Sequence, residues 1–239
     1  MNENTLASTV SFSEMFDAGG PVMFILLALS IIALTVILLK LYQFFVIGLS
    51  RKKKLYLSLQ QWNAGDSNNA IHTIADSKNP IAVVCYSTMS GLNKGGTDIS
   101  ALREETARVG NREMNALNKG MWCLELIATV SPLLGLFGTV LGMIEAFKAL
   151  QVAGSQVNPA ILSGGIWQAL MTTAAGLAVA IPVLMMFKWM ERRIAYVGEE
   201  MEDTVTQLFT RSVQAEQISK EKEQEGISSS DLSPSMSRA

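Results

Sequence analysis

Gln168, Thr172 and Thr173 stand close together in ILSGGIWQALMTTAAGLAVAIP (residues 161–182), a stretch otherwise apolar enough to enter a bilayer. Thr139 has a similar setting in MWCLELIATVSPLLGLFGTVLGMIEAF (121–147). An amide and hydroxyls can hold water and exchange hydrogen bonds, but none of them ionises near neutral pH. Such groups can solvate an ion or a proton carrier, yet cannot themselves take up and release the proton. Both stretches also carry a small-residue face. Ala128, Ser131, Gly135, Gly138 and Gly142 recur at steps of 3, 4, 3 and 4, and Gly165, Gln168, Thr172 and Gly176 at steps of 3, 4 and 4. That spacing puts each set on one side of a helix. In lipid, helices associate through close backbone approach, so small residues mark contacts. Two readings stay open here. The faces pack helices of one chain together, or they line a passage and clamp a helix from another chain.

The elements that must carry these residues follow from composition. The chain has 239 residues, 49% hydrophobic and 17% charged, with a mean hydropathy of +0.28. Three stretches are long enough to span a membrane: one from Pro21, and the two above. Pro21 to Leu39 carries no charge and covers roughly 28 Å as a helix, about the thickness of the hydrocarbon core. Its acidic flank (Glu3, Glu14, Asp17) and the lack of a small-residue cleavage motif argue against a signal peptide. Residues 1–39 hold no Lys or Arg, residues 51–119 hold ten, the connection after the second stretch holds only Lys148, and Lys188, Arg192 and Arg193 follow the third. The positive-inside rule then predicts the N-terminus outside and the C-terminus in the cytoplasm.

These signals divide the chain as follows. Residues 1–20 are an outer, N-terminal amphipathic segment, closed by Gly19-Gly20-Pro21. Residues 21–48 are transmembrane helix 1, and 49–119 a cytoplasmic helical loop. Residues 120–147 are transmembrane helix 2, 148–160 an outer connection, and 161–190 transmembrane helix 3. Residues 191–225 form a cytoplasmic helix, with Ile194, Val197, Met201, Val205 and Leu208 as its apolar stripe, and 226–239 a disordered tail. Within the loop, a helix through Leu55 and Trp62 continues the first span until Gly65. Asn79-Pro80 opens another helix that ends near Gly91, and Asp98 caps one that feeds the second span. Bulky Phe24, Ile25, Leu26, Leu27 and Leu29 suit lipid, so the first span is expected outside an inner pair formed by the other two. Pro132 and Pro182 are expected to kink that pair.

Other classes are excluded. About 70 loop residues and about 35 of the last helix are too few for an enzyme domain with its own core. Cys85, Cys123 and a single His72 make no metal site, cofactor site or disulfide framework. A net charge of −2 offers no surface for nucleic acid. Glu125 and Glu145 lie at span ends, where a charge costs little.

SPLLGLFGTVLGMIEAF (131–147) and GGIWQALMTTAAGLAVAIP (164–182) resemble the two signature spans of the ExbB/TolQ/MotA proton-channel family, most like its ExbB and TolQ branch. The resemblance extends to three spans, their order and the cytoplasmic loop. It implies an all-α integral membrane protein that assembles as a homopentameric ring in the bacterial inner membrane, with its outer segments in the periplasm. The ring would surround a dimer of single-span ExbD/TolR-type partners, whose Asp carries the proton, and would energise a TonB- or TolA-like protein. Thr139 in GLFGT and Thr173 in LMTTAAGL match the family's pore threonines, with Gln168 and Thr172 expected as further lining. Gly135, Gly138, Gly142, Gly165, Gly176, Pro132 and Pro182 are expected in helix packing. The family commonly has Glu where this chain has Gln168, so this subunit is expected to leave the titrating carboxyl to its partner. An inactive membrane scaffold is the alternative. A MotA-like flagellar stator is a further one, disfavoured by three spans rather than four.

Overall fold

A computed structural model describes residues 12–48, 53–94, 98–153 and 159–230. The described residues form seven helices: α1 (Phe12–Ile47), α2 (Lys53–Asn63), α3 (Ser67–Ile74), α4 (Pro80–Asn93), α5 (Ile99–Asn118), α6 (Met121–Ala153) and α7 (Pro159–Ser230). Among the described residues, three helical stretches are long and apolar enough to cross a membrane: Gly20–Ile47, Ile99–Val152 and Leu162–Gln214. The chain divides into two compact units, residues up to Gln43 with Asn118–Arg192, and Phe44–Leu117 with the residues from Arg193 onward.

The first unit joins the apolar part of α1 to α6 and the first half of α7. α1 is interrupted at Gly20, whose φ of 58° and ψ of −159° lie where only glycine is relaxed. Pro21 then restarts the helix. Residues 1–11 of the expected amphipathic segment lie outside the described residues. Val22, Met23 and Leu26 of α1 are buried and pack on Leu134 and Leu141 of α6 and Ala175 of α7. The same helix leaves Phe24, Ile31, Leu34, Leu38 and Leu39 exposed. Leucine and isoleucine round most of a helix leave one narrow seam for its neighbours and a broad apolar surface for lipid.

The second unit is built from short helices around the later part of α7. Asp66 caps α3, accepting from the Asn69 N–H at 3.4 Å and from its side-chain amide at 2.7 Å. Asn79 caps α4, its side-chain oxygen accepting from the Ile81 N–H at 3.0 Å, with Pro80 in the first turn. Asp98 caps α5 by accepting from the Ser100 N–H at 2.9 Å and its hydroxyl at 2.7 Å; these bonds hold its carboxyl below the ordinary aspartate range. Leu55, Ile74, Ile81, Met89, Leu102, Leu117, Val197, Met201 and Leu208 are buried. Polar groups among them are satisfied: the Ser58 hydroxyl donates to the Ala70 carbonyl at 2.7 Å, and the Thr88 and Thr106 hydroxyls meet at 3.2 Å. No buried polar side-chain atom among the described residues lacks a partner.

Several boundaries differ from the sequence reading. α2 does not continue α1, because Gly48 adopts φ 66° between them. α5 does not run into α6, because Gly120 at φ 86° turns the chain. α3 was not foreseen. α7 continues to Ser230, past the expected start of the tail at 226, and residues 231–239 lie outside the described ones.

Cys85 sits at 0% exposure in the second unit, and burial pushes its thiol up to about 12. Thiolate is then scarcer there than in a free cysteine by about a thousandfold or more at neutral pH. Alkylation of the folded protein should therefore stop at the half-buried Cys123, with Cys85 reacting only after unfolding. Equal labelling of both sites in peptide mapping would contradict this burial.

Candidate functional site on α6 and α7

The small faces of α6 and α7 meet each other within the first unit. A Cβ at Gly138 would lie 2.6 Å from the Thr172 hydroxyl oxygen, and one at Gly142 would lie 3.2 Å from the Ala169 methyl. One at Gly135 would reach the Thr172 carbonyl oxygen and Thr173 Cα at 3.0 Å. On α7, a Cβ at Gly176 would lie 2.6 Å from the Ser131 carbonyl oxygen and 3.1 Å from Gly135 Cα, and one at Gly165 would overlap the Ala146 methyl. Glycine thus supplies the closeness of the seam. Pro132 and Pro182 lie inside α6 and α7, and each removes the bond to the carbonyl four residues earlier. The helices continue through both.

Thr172 lies inside this seam at 1% exposure. Its hydroxyl is 2.7 Å from the Ala169 carbonyl and 3.3 Å from the Gly135 carbonyl. Thr173 is half-buried beside the seam, its hydroxyl donating to the same Gly135 carbonyl at 3.2 Å. Thr139 is half-buried too, donating to the Leu136 carbonyl at 2.6 Å. Ser131 is fully buried and bonds back to the Ile127 carbonyl at 2.7 Å. Both outer threonines therefore spend their one proton on backbone. Their oxygen lone pairs remain as acceptors.

Gln168 does not share the side of Thr173. Five residues separate it from Thr173, which turns it about 140° round the helix. Seven residues, just under two turns, separate it from Ala175, the α7 residue packed on Val22, Met23 and Leu26, so the two point in nearly the same direction. Gln168 is half-buried, and its amide has no hydrogen-bond partner among the described residues. Thr172 thus lies in the α6–α7 contact, while Thr173 and Gln168 are half-buried to either side of it round α7. Glu125 and Glu145 are exposed. No group of three His, Cys, Asp or Glu among the described residues could hold a metal.

A close glycine seam inside a set of membrane-length helices, flanked by hydroxyls, defines a multi-pass membrane protein with a polar feature built into its spans. Residues 76–203, more than half the chain and including α4, α5, α6 and the seam, match the model of the MotA/TolQ/ExbB proton channel family. The chain belongs to that family. An ExbB homolog of Methanothermobacter thermautotrophicus is 30% identical over 182 residues, 76% of this chain and 63% of that one. Biopolymer transport protein exbB1 of Vibrio cholerae is 40% identical over 100 residues, 40% of this chain and 44% of its own. The Tol-Pal system protein TolQ of Haemophilus influenzae is 36% identical over 100 residues, 42% of this chain and 43% of its own. The matched part of this chain thus spans less than two thirds of each of these relatives.

Proposed function

We propose that this chain is the proton-channel subunit of an ExbB/TolQ-type energy transducer in a bacterial inner membrane, with its N-terminus in the periplasm and its C-terminus in the cytoplasm. In this reading it forms a pentameric ring around a dimer of single-span ExbD/TolR-type partners. Proton flow through the ring drives a TonB- or TolA-like protein that serves outer-membrane transport or integrity. Family membership over α4 to α7 supports the class. The observation that carries the mechanism is that Thr139 and Thr173 are both half-buried, each with its hydroxyl proton on a carbonyl of α6, and neither among the residues packed with α1.

The chemistry follows from what each hydroxyl has left to offer. A threonine that donates to its own backbone presents only acceptors outward. Acceptors stabilise a hydronium ion or the O–H of a neutral carboxylic acid, and repel a carboxylate. A partner carboxyl that meets these acceptors is therefore favoured in its protonated form, which is how it would carry a proton through an apolar ring. The chain contributes solvation and shape, and the partner contributes the titrating group. Thr172 locks the seam in this account.

Gln168 bears on the alternative of an inactive scaffold, since an amide cannot titrate. In this reading its amide, which has no hydrogen-bond partner among the described residues, bonds water or another helix in the assembled ring. Gln168→Leu should then leave the thermal unfolding of the purified chain unchanged. It should lower proton-motive-force-dependent activity by about 2- to 10-fold, the worth of one ordinary hydrogen bond. Activity measured in cells carrying the variant and its own partner decides this, and an unchanged rate would place the amide outside the working machinery.

A further inference from the structure

α2 has two faces, and the second unit uses one of them. Leu55 and Ser58 are buried, the Ser58 hydroxyl donates to the Ala70 carbonyl at 2.7 Å, and the Thr73 hydroxyl donates to the Gln61 amide oxygen at 2.8 Å. Those contacts hold α2 against α3. At about 100° per residue, Lys53, Tyr56, Leu57 and Gln60 fall together on the opposite face. All four are exposed, Tyr56 at 61% and Leu57 at 48%, and exposed Lys54 stands at the edge of the same face. A single exposed leucine is ordinary on any surface. A tyrosine and a leucine side by side, with lysines around them, also suit the boundary of a bilayer. There the apolar bodies enter the headgroup layer while the ammonium groups stay at its surface.

Position and charge select the occupant. α2 begins five residues after Gly48, where the membrane-length α1 ends, so its first turn lies within about 18 Å of that exit. The last turn of α1 carries Phe45 at 77% exposure and exposed Val46, both suited to lipid. The Asn79 side-chain amide donates to the Gly48 carbonyl at 3.4 Å, which ties the start of α4, and exposed Lys78 with it, to the same point. Lys53, Lys54 and Lys78 make no ion pair among the described residues. Asp76, the acid closest to them in sequence, leaves the group net positive. We infer that the Lys53–Gln60 face of α2 docks on anionic phospholipid headgroups of the leaflet through which α1 leaves the membrane. The lysines meet headgroup phosphates, and Tyr56 and Leu57 enter the layer beneath them. The inference rests on the orientation proposed above, with α2 on the cytoplasmic side, and adds a lipid contact made by the second unit itself.

The test is spin labelling of the full chain in its assembled complex, reconstituted in vesicles. Cys123→Ser removes the half-buried native thiol, and Gln60→Cys carries the nitroxide. Depth is read from collisions with oxygen, which concentrates in lipid, against collisions with a water-soluble nickel chelate. In vesicles of phosphatidylcholine with phosphatidylglycerol, the nitroxide should meet oxygen and be shielded from nickel. In phosphatidylcholine alone, or with Lys53→Gln/Lys54→Gln, the oxygen-to-nickel ratio should fall about fivefold or more, since each lysine near an anionic surface contributes about that factor. An equal ratio in both lipids would overturn the inference, as would a nitroxide in water throughout. Shielding from both reagents would overturn it too, because that marks contact with protein, a second copy included. In spheroplasts, labelling of Gln60→Cys by a membrane-impermeant maleimide would instead overturn the orientation on which the inference rests.

Discussion

The double variant Thr139→Val/Thr173→Val is expected to lose proton-motive-force-dependent uptake by at least about a hundredfold, with normal amounts of protein and an intact complex. Valine keeps the branched shape, so the half-buried packing beside the seam persists. What disappears is a pair of oxygen acceptors. A hydrogen bond to a charged or strongly polarised group contributes about 1.5–3 kcal/mol, and each such loss from a transition state slows it by roughly 10- to 100-fold. The hydroxyl protons already belong to the Leu136 and Gly135 carbonyls, so the valines free those carbonyls without leaving a buried donor. Uptake in cells measures the effect, with quantification of the oligomer alongside. Full uptake would reduce both threonines to packing residues. Loss of protein instead of loss of uptake would show that their bonds to the backbone hold the helices together.

Gly176→Leu is expected to remove the folded protein almost entirely. The first atom of any side chain there meets the Ser131 carbonyl and Gly135 Cα, which are backbone and cannot rotate aside. Even Gly176→Ala should therefore cost about 1–3 kcal/mol as an overpacked contact. Gly164 provides the control from the same helix. Nothing lies within 4 Å of a Cβ built there, so Gly164→Ala should be neutral, or stabilising by up to about 1 kcal/mol through helix propensity. Unfolding of the purified variants in detergent separates the two sites. Equal tolerance at Gly176 and Gly164 would mean that α6 and α7 do not approach as described.

Much of the helical framework was legible because it is encoded locally. The Asn79-Pro80 and Asp98 caps, and the stripe from Ile194 to Leu208, depend on residues a few positions apart. The regular spacing of glycines in α6 and α7 marked a contact face, because in lipid few other forces select small residues. Less legible were the places where a single backbone angle decides. Gly48 and Gly120 each turn the chain at positive φ, and neither is flanked by a proline or a second glycine as Gly20 is. α3 is only eight residues long, too short for its periodicity to stand out, and Asp66 was its one signal. The direction of each face was not legible at all. Gln168 and Thr172 share a helical side by arithmetic, but only the packing of Gly138 on Thr172 and of Ala175 on α1 shows which neighbour each one turns toward.

Proton conduction through the ring is the central claim, and flux into sealed vesicles tests it most directly. The purified complex of this chain with its single-span partner would be reconstituted around a pH-sensitive dye, and a membrane potential imposed. The wild-type complex should acidify the lumen faster than vesicles without protein, and the Thr139→Val/Thr173→Val complex should fall back to that baseline. An intact wild-type complex that conducts no protons under an imposed potential, or a double variant that conducts as well as wild type, would contradict the account.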